Sequence, residues 1–425
     1  MREMKDSGIE WIGEIPCDWK LERSQWHLEE VNISNNPVQT NNVLSLTNKL
    51  GVVPYEEKGN QGNKSKENVY EYKLAYPNTI VANSMNILIG SVGVCDYFGC
   101  VSPVYYVFRA KKYNNIKFLN YVFQTVGFQR ELRKYANGIL EIRLRVSSSD
   151  ILKRFIPFPS EIEQQRIAEF LDRECGKIDG LKADIQAQID TLEQYKRSVI
   201  TEAVTHGLNP SAPMKDSGVP WVGNIPKHWN CCSLKYNYNT ISGATPNSND
   251  ISLWDGEIVW VTPADYKTKD VYVFSGARKI TYKGYLSCST TLIKQGNIIF
   301  SKRAPIGSVA INKVELCTSQ GCLSVVRKTG NVNNKYFYYL FSVNDETFNL
   351  FGSGTTFKEI SAKDFLSVKF PLPPLDEQQE IADYLDNKCV EIEQIIADKK
   401  SQIETLDGYK KSLIYEYVTG KKEVV

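Results

Sequence analysis

The sequence predicts an α/β (α+β) fold present in two copies, joined by two long helices that form an antiparallel intramolecular coiled coil with a pseudo-twofold internal repeat. Three observations predict it. Two motifs recur, one opening and one closing each half of the chain. The stretch after each closing motif carries apolar residues at the three- and four-residue steps of a helix seam. The segments between motifs carry short runs of β-branched and aromatic residues separated by turn residues.

The repeat comes first, because a fixed internal period decides the architecture. MKDSGIEWIGEIPCDW begins at Met4 and MKDSGVPWVGNIPKHW at Met214, with 10 of 16 positions identical. IPFPSEIEQQRIAEFLD begins at Ile156 and FPLPPLDEQQEIADYLD at Phe370. QIDTLEQYKRSVITEAVT from Gln188 then matches QIETLDGYKKSLIYEYVT from Gln402, an offset of 214. A weaker echo links ILIGSVGV from Ile87 to APIGSVAI from Ala304. The rest of the intervening sequence differs. The shared parts read as scaffold and the variable parts as two versions of one device; a drifted gene duplication is the plainer alternative.

The long helices follow from the seam. In the first copy it runs through Ile178, Leu181, Ile185, Ile189, Leu192, Tyr195 and Val199. In the second it runs through Ile392, Ile395, Lys399, Ile403, Leu406, Tyr409 and Leu413. About three heptads of this pattern suit a coiled coil; two unrelated amphipathic helices, each packed on its own domain, are the alternative. Pro157, Pro159, Pro371, Pro373 and Pro374 mark helix entry, since proline bars continuation from the preceding segment. Gly176 and Gly180 suggest a break after a short first helix over 161–173.

Between the motifs, IVANSMNILIGSVGVCDY, YYVFRA, GEIVWV, TLIKQGNIIFSK and CLSVVRK read as strands, and NNIKFLNYVFQTVGFQRELRKY as helical. The chain therefore divides into a first head over 1–155, a helical spacer over 156–213, a second head over 214–368 and a second spacer over 369–425. The whole chain carries a net charge of +2, but the charge is unevenly spread. Residues 20–150 and 230–364 are each net +5, whereas 151–213 is −2 and 365–425 is −4. Basic blocks suit phosphate, and acidic helical blocks suit protein partners or solvent.

Composition excludes several classes. At 425 residues, 42% hydrophobic and 24% charged, the chain has the balance of a globular protein with more than one core. No apolar run reaches the ~18 residues of a membrane span. The opening residues carry no apolar signal core, so a cytoplasmic location is expected. Ten cysteines without a CxxC pair, beside three histidines, point to reduced thiols and no structural zinc. No GxxxxGK[ST] phosphate loop, HExxH, GxSxG or base-methylating motif occurs. FGSG at Phe351 reads as a turn. Glu71 and Lys73 have the spacing of a nuclease pair but lack the preceding aspartate, so they read as a solvated loop pair. No catalytic residue and no metal ligand is assigned.

DSG-x-x-W-x-G-x-IP-x-x-W from Asp6 and Asp216, and EQQ-x-IA-x-x-LD from Glu163 and Glu377, resemble the DNA specificity subunit of type I restriction–modification enzymes. The resemblance covers essentially the whole chain and both repeats. ISGATPNSND with WVTPADY is similar to openings of that family's target recognition domains, and MNILIGSVGV with GCVSPVYYVF to another class of them. The first head lacks the SGATP element, so its recognition loops cannot be carried over from the second. The resemblance implies a noncatalytic subunit whose two target recognition domains each bind half of a bipartite, asymmetric site in double-stranded DNA. It implies helices that set the spacer and dock two modification subunits, with two restriction (motor-nuclease) subunits completing the complex. S-adenosylmethionine, ATP and magnesium would enter through those partners, with no cofactor bound by this chain. A coiled-coil adaptor with two non-DNA-binding heads is the alternative, as is a catalytic fusion, for which no motif is found.

Base edges are read by Arg, Lys, Asn and Gln, while phosphate contacts position the protein. In the first head the candidates are Lys58, Asn60, Gln61, Asn63, Lys64 and Lys66 in one polar loop. Ser84 and Asn86 sit beside the turn at Gly90, and Arg143 and Arg145 share one face of LEIRLRV. In the second head they are Thr245, Asn247, Ser248 and Asn249 after Gly243, with Lys302 and Arg303 at the end of an expected strand. Lys267, Lys269 and Lys358 are phosphate candidates. An ordinary solvated loop is the alternative for each. Trp11 and Trp19, with Trp221 and Trp229, are expected to be packing anchors rather than DNA-stacking groups.

Overall fold

Two helices of unusual length dominate the secondary structure, Glu161–His206 and Leu375–Val418, with 46 and 44 residues. The computed structural model describes residues 2–47, 51–58, 68–111, 114–138, 144–266, 270–303, 305–353 and 358–424. By its contacts the chain divides into two compact units. The first comprises Met1–Gln186 with Lys399–Val425, and the second Ala187–Asp398. Each unit thus combines a head with part of both long helices.

In the first unit, strands Leu28–Glu30, Tyr105–Ala110, Thr79–Asn83 and Val92–Cys95 form an antiparallel sheet in that order. Thr79–Asn83 is buried along its whole length, as expected for a central strand packed on both faces. A short ladder pairs Lys20–Arg23 with Phe155–Phe158 and ties the start of the head to its end. The helical patch after Asn115 is two helices, Ile116–Gln124 and Val126–Arg133; the side chain of Thr125 caps the second by accepting from Phe128 N. In the second unit, strands Tyr238–Ser242, Cys322–Arg327, Ile298–Ser301, Val309–Asn312 and Tyr272–Val273 form a sheet in which only the last pair is parallel. A second sheet groups Arg278–Ile280, Trp254–Val261 and Cys317–Thr318. Asn230–Ser233 pairs with Lys369–Leu372 as the closing ladder of this head.

Both long helices are continuous. The break expected at Gly176 and Gly180 is absent: a Cβ at either position would meet nothing within 4 Å, so these glycines lie on an open face and only weaken propensity. The seam is also shifted from the sequence reading. Leu181, Tyr195, Ile395 and Tyr409 are exposed, between 45% and 55%. Lys182, Lys196 and Lys410 are partly buried instead. A step from Ile178 to Lys182 and then Ile185 fits a 3,4 pattern as well as one through Leu181. A lysine stem can cover an apolar seam while its ammonium reaches an acid at the edge. Lys182 pairs with Asp407, and Asp179 with Lys410 Nζ at 2.6 Å, so the helix segments of the first unit run antiparallel. In the second unit Lys196 pairs with Glu393.

The closing motif explains how each head is seated. Trp19 and Trp229 are fully buried, and their indole Nε1–H groups donate to Glu163 Oε2 at 2.9 Å and Glu377 Oε2 at 2.7 Å. Trp11 packs edge-on against Phe128, and Trp221 against Phe370. The first glutamine of each motif is buried. Gln164 donates to Pro159 O and accepts from Asn115 N, and Gln378 donates to Pro373 O and accepts from Asn333 N. The closing aspartate receives two donors from one head helix. Asp172 accepts from Lys117 Nζ at 2.7 Å and Tyr121 OH at 2.8 Å. Asp386 accepts from Lys335 and, at 2.7 Å, from Tyr339 OH. Burial and the neighbouring aspartate hold both tyrosine hydroxyls protonated, with pKa values pushed well up.

The far end of each helix closes on an opening motif. Gly207 and Gly420 follow the helices with φ of +78° and +71°, the left-handed geometry that ends a helix. A Cβ at Gly420 would lie 2.4 Å from Pro16 Cδ, and one at Gly207 would lie 3.1 Å from Trp229 Cζ2. No helix among the described residues is long and apolar enough to cross a membrane.

Gln378→Ala strands the Asn333 N–H and two carbonyls inside the protein, and is expected to cost about 1–3 kcal/mol. Gln379→Ala, on the exposed neighbour, is expected to cost under about 0.5 kcal/mol. Thermal melting of the two variants checks this; equal losses would contradict the seating role.

Candidate nucleic-acid interface

In the second head, the loop that carries Thr245, Asn247, Ser248 and Asn249 leaves Ser242, the last residue of an edge strand, and returns through a short turn at Ile251–Leu253. All four of these residues are exposed, while Pro246 between them is buried. Ala244 N donates to Thr318 O at 3.0 Å, and Lys302 N donates to Gly321 O at 3.0 Å. The turn at 318–322 therefore brings this loop and the Lys302–Arg303 pair into one region.

Those two cations do not face solvent unopposed. Lys302 Nζ and Arg303 Nε lie 2.9 Å from Glu359 Oε1 and Oε2 respectively. Partial burial would raise the Glu359 pKa, but hydrogen bonds from Lys302 and Arg303 outweigh it and hold the carboxyl below its ordinary value. One carboxylate thus offsets part of the positive charge on this face. Lys358, next to it, is exposed. Lys267 and Lys269 lie outside the described residues.

In the first head, Val146 N donates to Ser84 O at 3.2 Å, which sets Arg145 beside the turn that carries Asn86. Asn86 and Arg145 are exposed; Ser84 is buried and offers its backbone rather than its hydroxyl. Arg145 also pairs through its backbone with Asn137. Lys58 is buried in a short 3-10 turn with its ammonium 4.1 Å from the Tyr55 ring centroid, so it does not project from a polar loop. Asn60, Gln61, Asn63, Lys64, Lys66 and Arg143 lie outside the described residues. Among the described residues no group of three or more His, Cys, Asp or Glu is placed to hold a metal ion.

Residues 226–405 match the family model described as the type I restriction modification DNA specificity domain. The chain is 35% identical over 189 residues to the type I restriction enzyme MjaIX specificity subunit of Methanocaldococcus jannaschii, covering 44% of this chain and 43% of that protein. It is 27% identical over 299 residues to the putative MjaX specificity subunit of the same organism, covering 70% and 66%. Residues 226–405 thus match the type I restriction modification DNA specificity domain, and the chain is similar to specificity subunits of type I restriction enzymes. The alignments span 43% and 66% of those two relatives' own lengths. By fold, the chain is similar to a solved chain from work on complex assembly and conformational transition of the type I R-M system, with a TM-score of 0.73 at 15% identity over 96% and 99% of the two chains. It is also similar to the HsdS subunit from Thermoanaerobacter tengcongensis, with a TM-score of 0.51 at 16% identity over 96% and 98%.

The role of one repeated signal is not apparent from the sequence alone. Asn115, Lys117 and Tyr121 recur as Asn333, Lys335 and Tyr339, each set on a head helix and bonded to the closing motif. The pattern N-x-K-x-x-x-Y was legible. It sits inside the variable blocks, however, and its meaning appears only once Asp172 and Asp386 are seen to receive it.

Tyr339→Phe is expected to lower the melting temperature by a few degrees, the loss of one charge-assisted hydrogen bond of about 1.5–3 kcal/mol. Tyr338→Phe, a neighbour with no bond to Asp386, is the control. An effect as large at Tyr338 would remove the aspartate from the account.

Proposed function

We propose that this chain is the noncatalytic DNA sequence-specificity subunit of a type I restriction–modification complex. Target recognition domains over 1–155 and 214–368 each bind one half of a bipartite, asymmetric site in double-stranded DNA. The helical spacers over 156–213 and 369–425 pair as an antiparallel coiled coil with pseudo-twofold symmetry, set the distance between the half-sites and dock two modification subunits. Two restriction subunits complete the assembly, and S-adenosylmethionine, ATP and magnesium enter through the partners.

One observation carries this reading. Two heads with different loops and sheets are seated on their helices by the same groups, Trp19–Glu163 with Gln164 and Asp172 in one half, and Trp229–Glu377 with Gln378 and Asp386 in the other. A common seating under two dissimilar surfaces is what a split recognition site requires. Removal of the gene should abolish one bipartite methyl-adenine motif from the host methylome; an unchanged methylome would refute the proposal. Purified chain with magnesium, ATP and S-adenosylmethionine should neither cut nor methylate DNA.

The spacer reading has its own test. Four residues add ~6 Å to a helix and turn it ~40° beyond a full turn. Insertions near Thr191 and Thr405 together should keep both half-sequences and widen the gap between them by about one or two base pairs, at 3.4 Å per base along each strand. Methylation of a spacer library reads this out, and full activity at the old spacing would rule out the helices as the ruler.

Charge gives a further check. Glu359→Gln should free Lys302 and Arg303 for phosphate. The slope of log affinity against log salt should steepen by roughly one to two phosphate equivalents. An unchanged slope would place these cations away from the DNA.

A further inference from the structure

The loop over 243–250 of the second head is pinned from below by two indoles. Trp260 Nε1–H donates to Ala244 O at 3.0 Å, and Trp254 Nε1–H donates to Asn247 O at 3.0 Å. The rings are 4% and 5% exposed and meet edge to face with centroids 5.1 Å apart. The Arg278 guanidinium lies 3.5 Å from the Trp254 ring centroid, over the indole. Leu253, Ile280 and Cys317 complete this small core, which is separate from the main core of the unit. A tryptophan buried this deeply contributes mainly apolar area. Here each indole also spends its single polar atom on one carbonyl of one exposed loop, and the two carbonyls are three residues apart.

The four polar residues of the loop are not equivalent. Asn247 Oδ1 accepts from Asn249 N at 3.1 Å, and its backbone oxygen accepts from Asp250 N at 3.2 Å. Asp250 Oδ1 accepts from Ser252 N at 3.0 Å. These residues hold the turn's shape. Ser248 and Asn249 lie between them, exposed, with side chains that form no hydrogen bond to the protein among the described residues. Polar groups left free on a loop fixed at both ends are preorganised for an external partner, which lowers the ordering cost of binding.

Resting on the DNA-specificity reading above, we infer that Ser248 and Asn249 read base edges in the half-site of the second head. Asn247, Trp254 and Trp260 are positioning residues that hold the loop for them. The Asn249 carboxamide offers a donor and an acceptor on one edge, the pair that matches adenine in the major groove, and the Ser248 hydroxyl serves either sense. The indoles act through geometry: without the two N–H bonds the loop keeps its sequence but loses its fixed presentation.

The test uses the whole chain with its partners in the host. Long-read methylome sequencing gives the ratio of methylation at the intact motif to that at single-mismatch sites, for each half separately. Asn249→Ala should lower that ratio about tenfold or more in one half and leave the other unchanged, the effect of one lost base contact. Trp254→Phe and Trp260→Phe keep an aromatic ring but remove the N–H together with part of the ring's buried area, and should relax the same half as Asn249→Ala. Melting of the purified Asn249→Ala chain should match that of the unaltered chain. An unchanged ratio in Asn249→Ala overturns the reading role. Phe variants that lower methylation at all sites equally, with both ratios intact, make the indoles merely structural and overturn the positioning role. If the unaltered gene contributes no bipartite motif, the specificity reading itself falls, an outcome distinct from both.

Discussion

Each half of the chain depends on one buried contact, an indole N–H donated to a glutamate on the first turn of a long helix. Trp19 on Glu163 and Trp229 on Glu377 join the opening of a half to its close, 144 and 148 residues later in the chain. A buried indole without an acceptor costs stability, and a half-buried carboxylate without a donor costs more. Neither group is satisfied unless the head between them has folded to bring the motifs together. The following Gln and the closing Asp extend the same logic. Gln164 and Gln378 occupy buried sites on backbone groups, and Asp172 and Asp386 each gather a lysine and a tyrosine from a head helix. The motif therefore forms a socket, and the head can vary as long as it supplies the plug.

That explains why the repeat was legible and much of the head was not. Trp, Glu, Gln and Asp at fixed spacing survive wherever the socket survives, and the strand runs at Tyr105–Ala110 and Cys322–Arg327 follow from β-branched and aromatic content. Apolar periodicity places the seam one residue off in places, because apolarity favours Leu181 and Tyr195 where packing uses Lys182 and Lys196. Periodicity alone does not separate a leucine on an exposed face from a lysine whose stem lies in the groove and whose ammonium meets Asp407 or Glu393. Gly176 and Gly180 suggested a break because glycine is a poor helix former. Each costs only about 1 kcal/mol in a helix interior, which packing along 46 residues outweighs.

The candidate recognition surface was the least legible part. Lys58 stands in a polar stretch yet lies buried over Tyr55, and Lys302 and Arg303 share Glu359, 56 residues beyond Arg303. Whether a cation is free for phosphate depends on such long-range partners, which composition does not reveal. The polar loop after Gly243 was recognisable by residue type. The division between residues that shape the loop and residues left free came only from the indoles beneath it. In both halves the seating is specified by chemistry that must be buried, whereas the loop after Gly243 carries Ser248 and Asn249 exposed, with side chains that form no hydrogen bond to the protein among the described residues.

Two dissimilar heads share one repeated seating, and the proposal makes each of them read its own half-site. The direct measurement replaces residues 230–364 with the matching block of a type I restriction enzyme specificity subunit and sequences the host methylome. Trp229, Glu377, Gln378 and Asp386 stay in place, and the incoming block supplies its own N-x-K-x-x-x-Y. A new sequence is expected in one half of the methylated motif, with the other half and the spacer unchanged. A change in both halves, or in the spacer, would contradict the proposal.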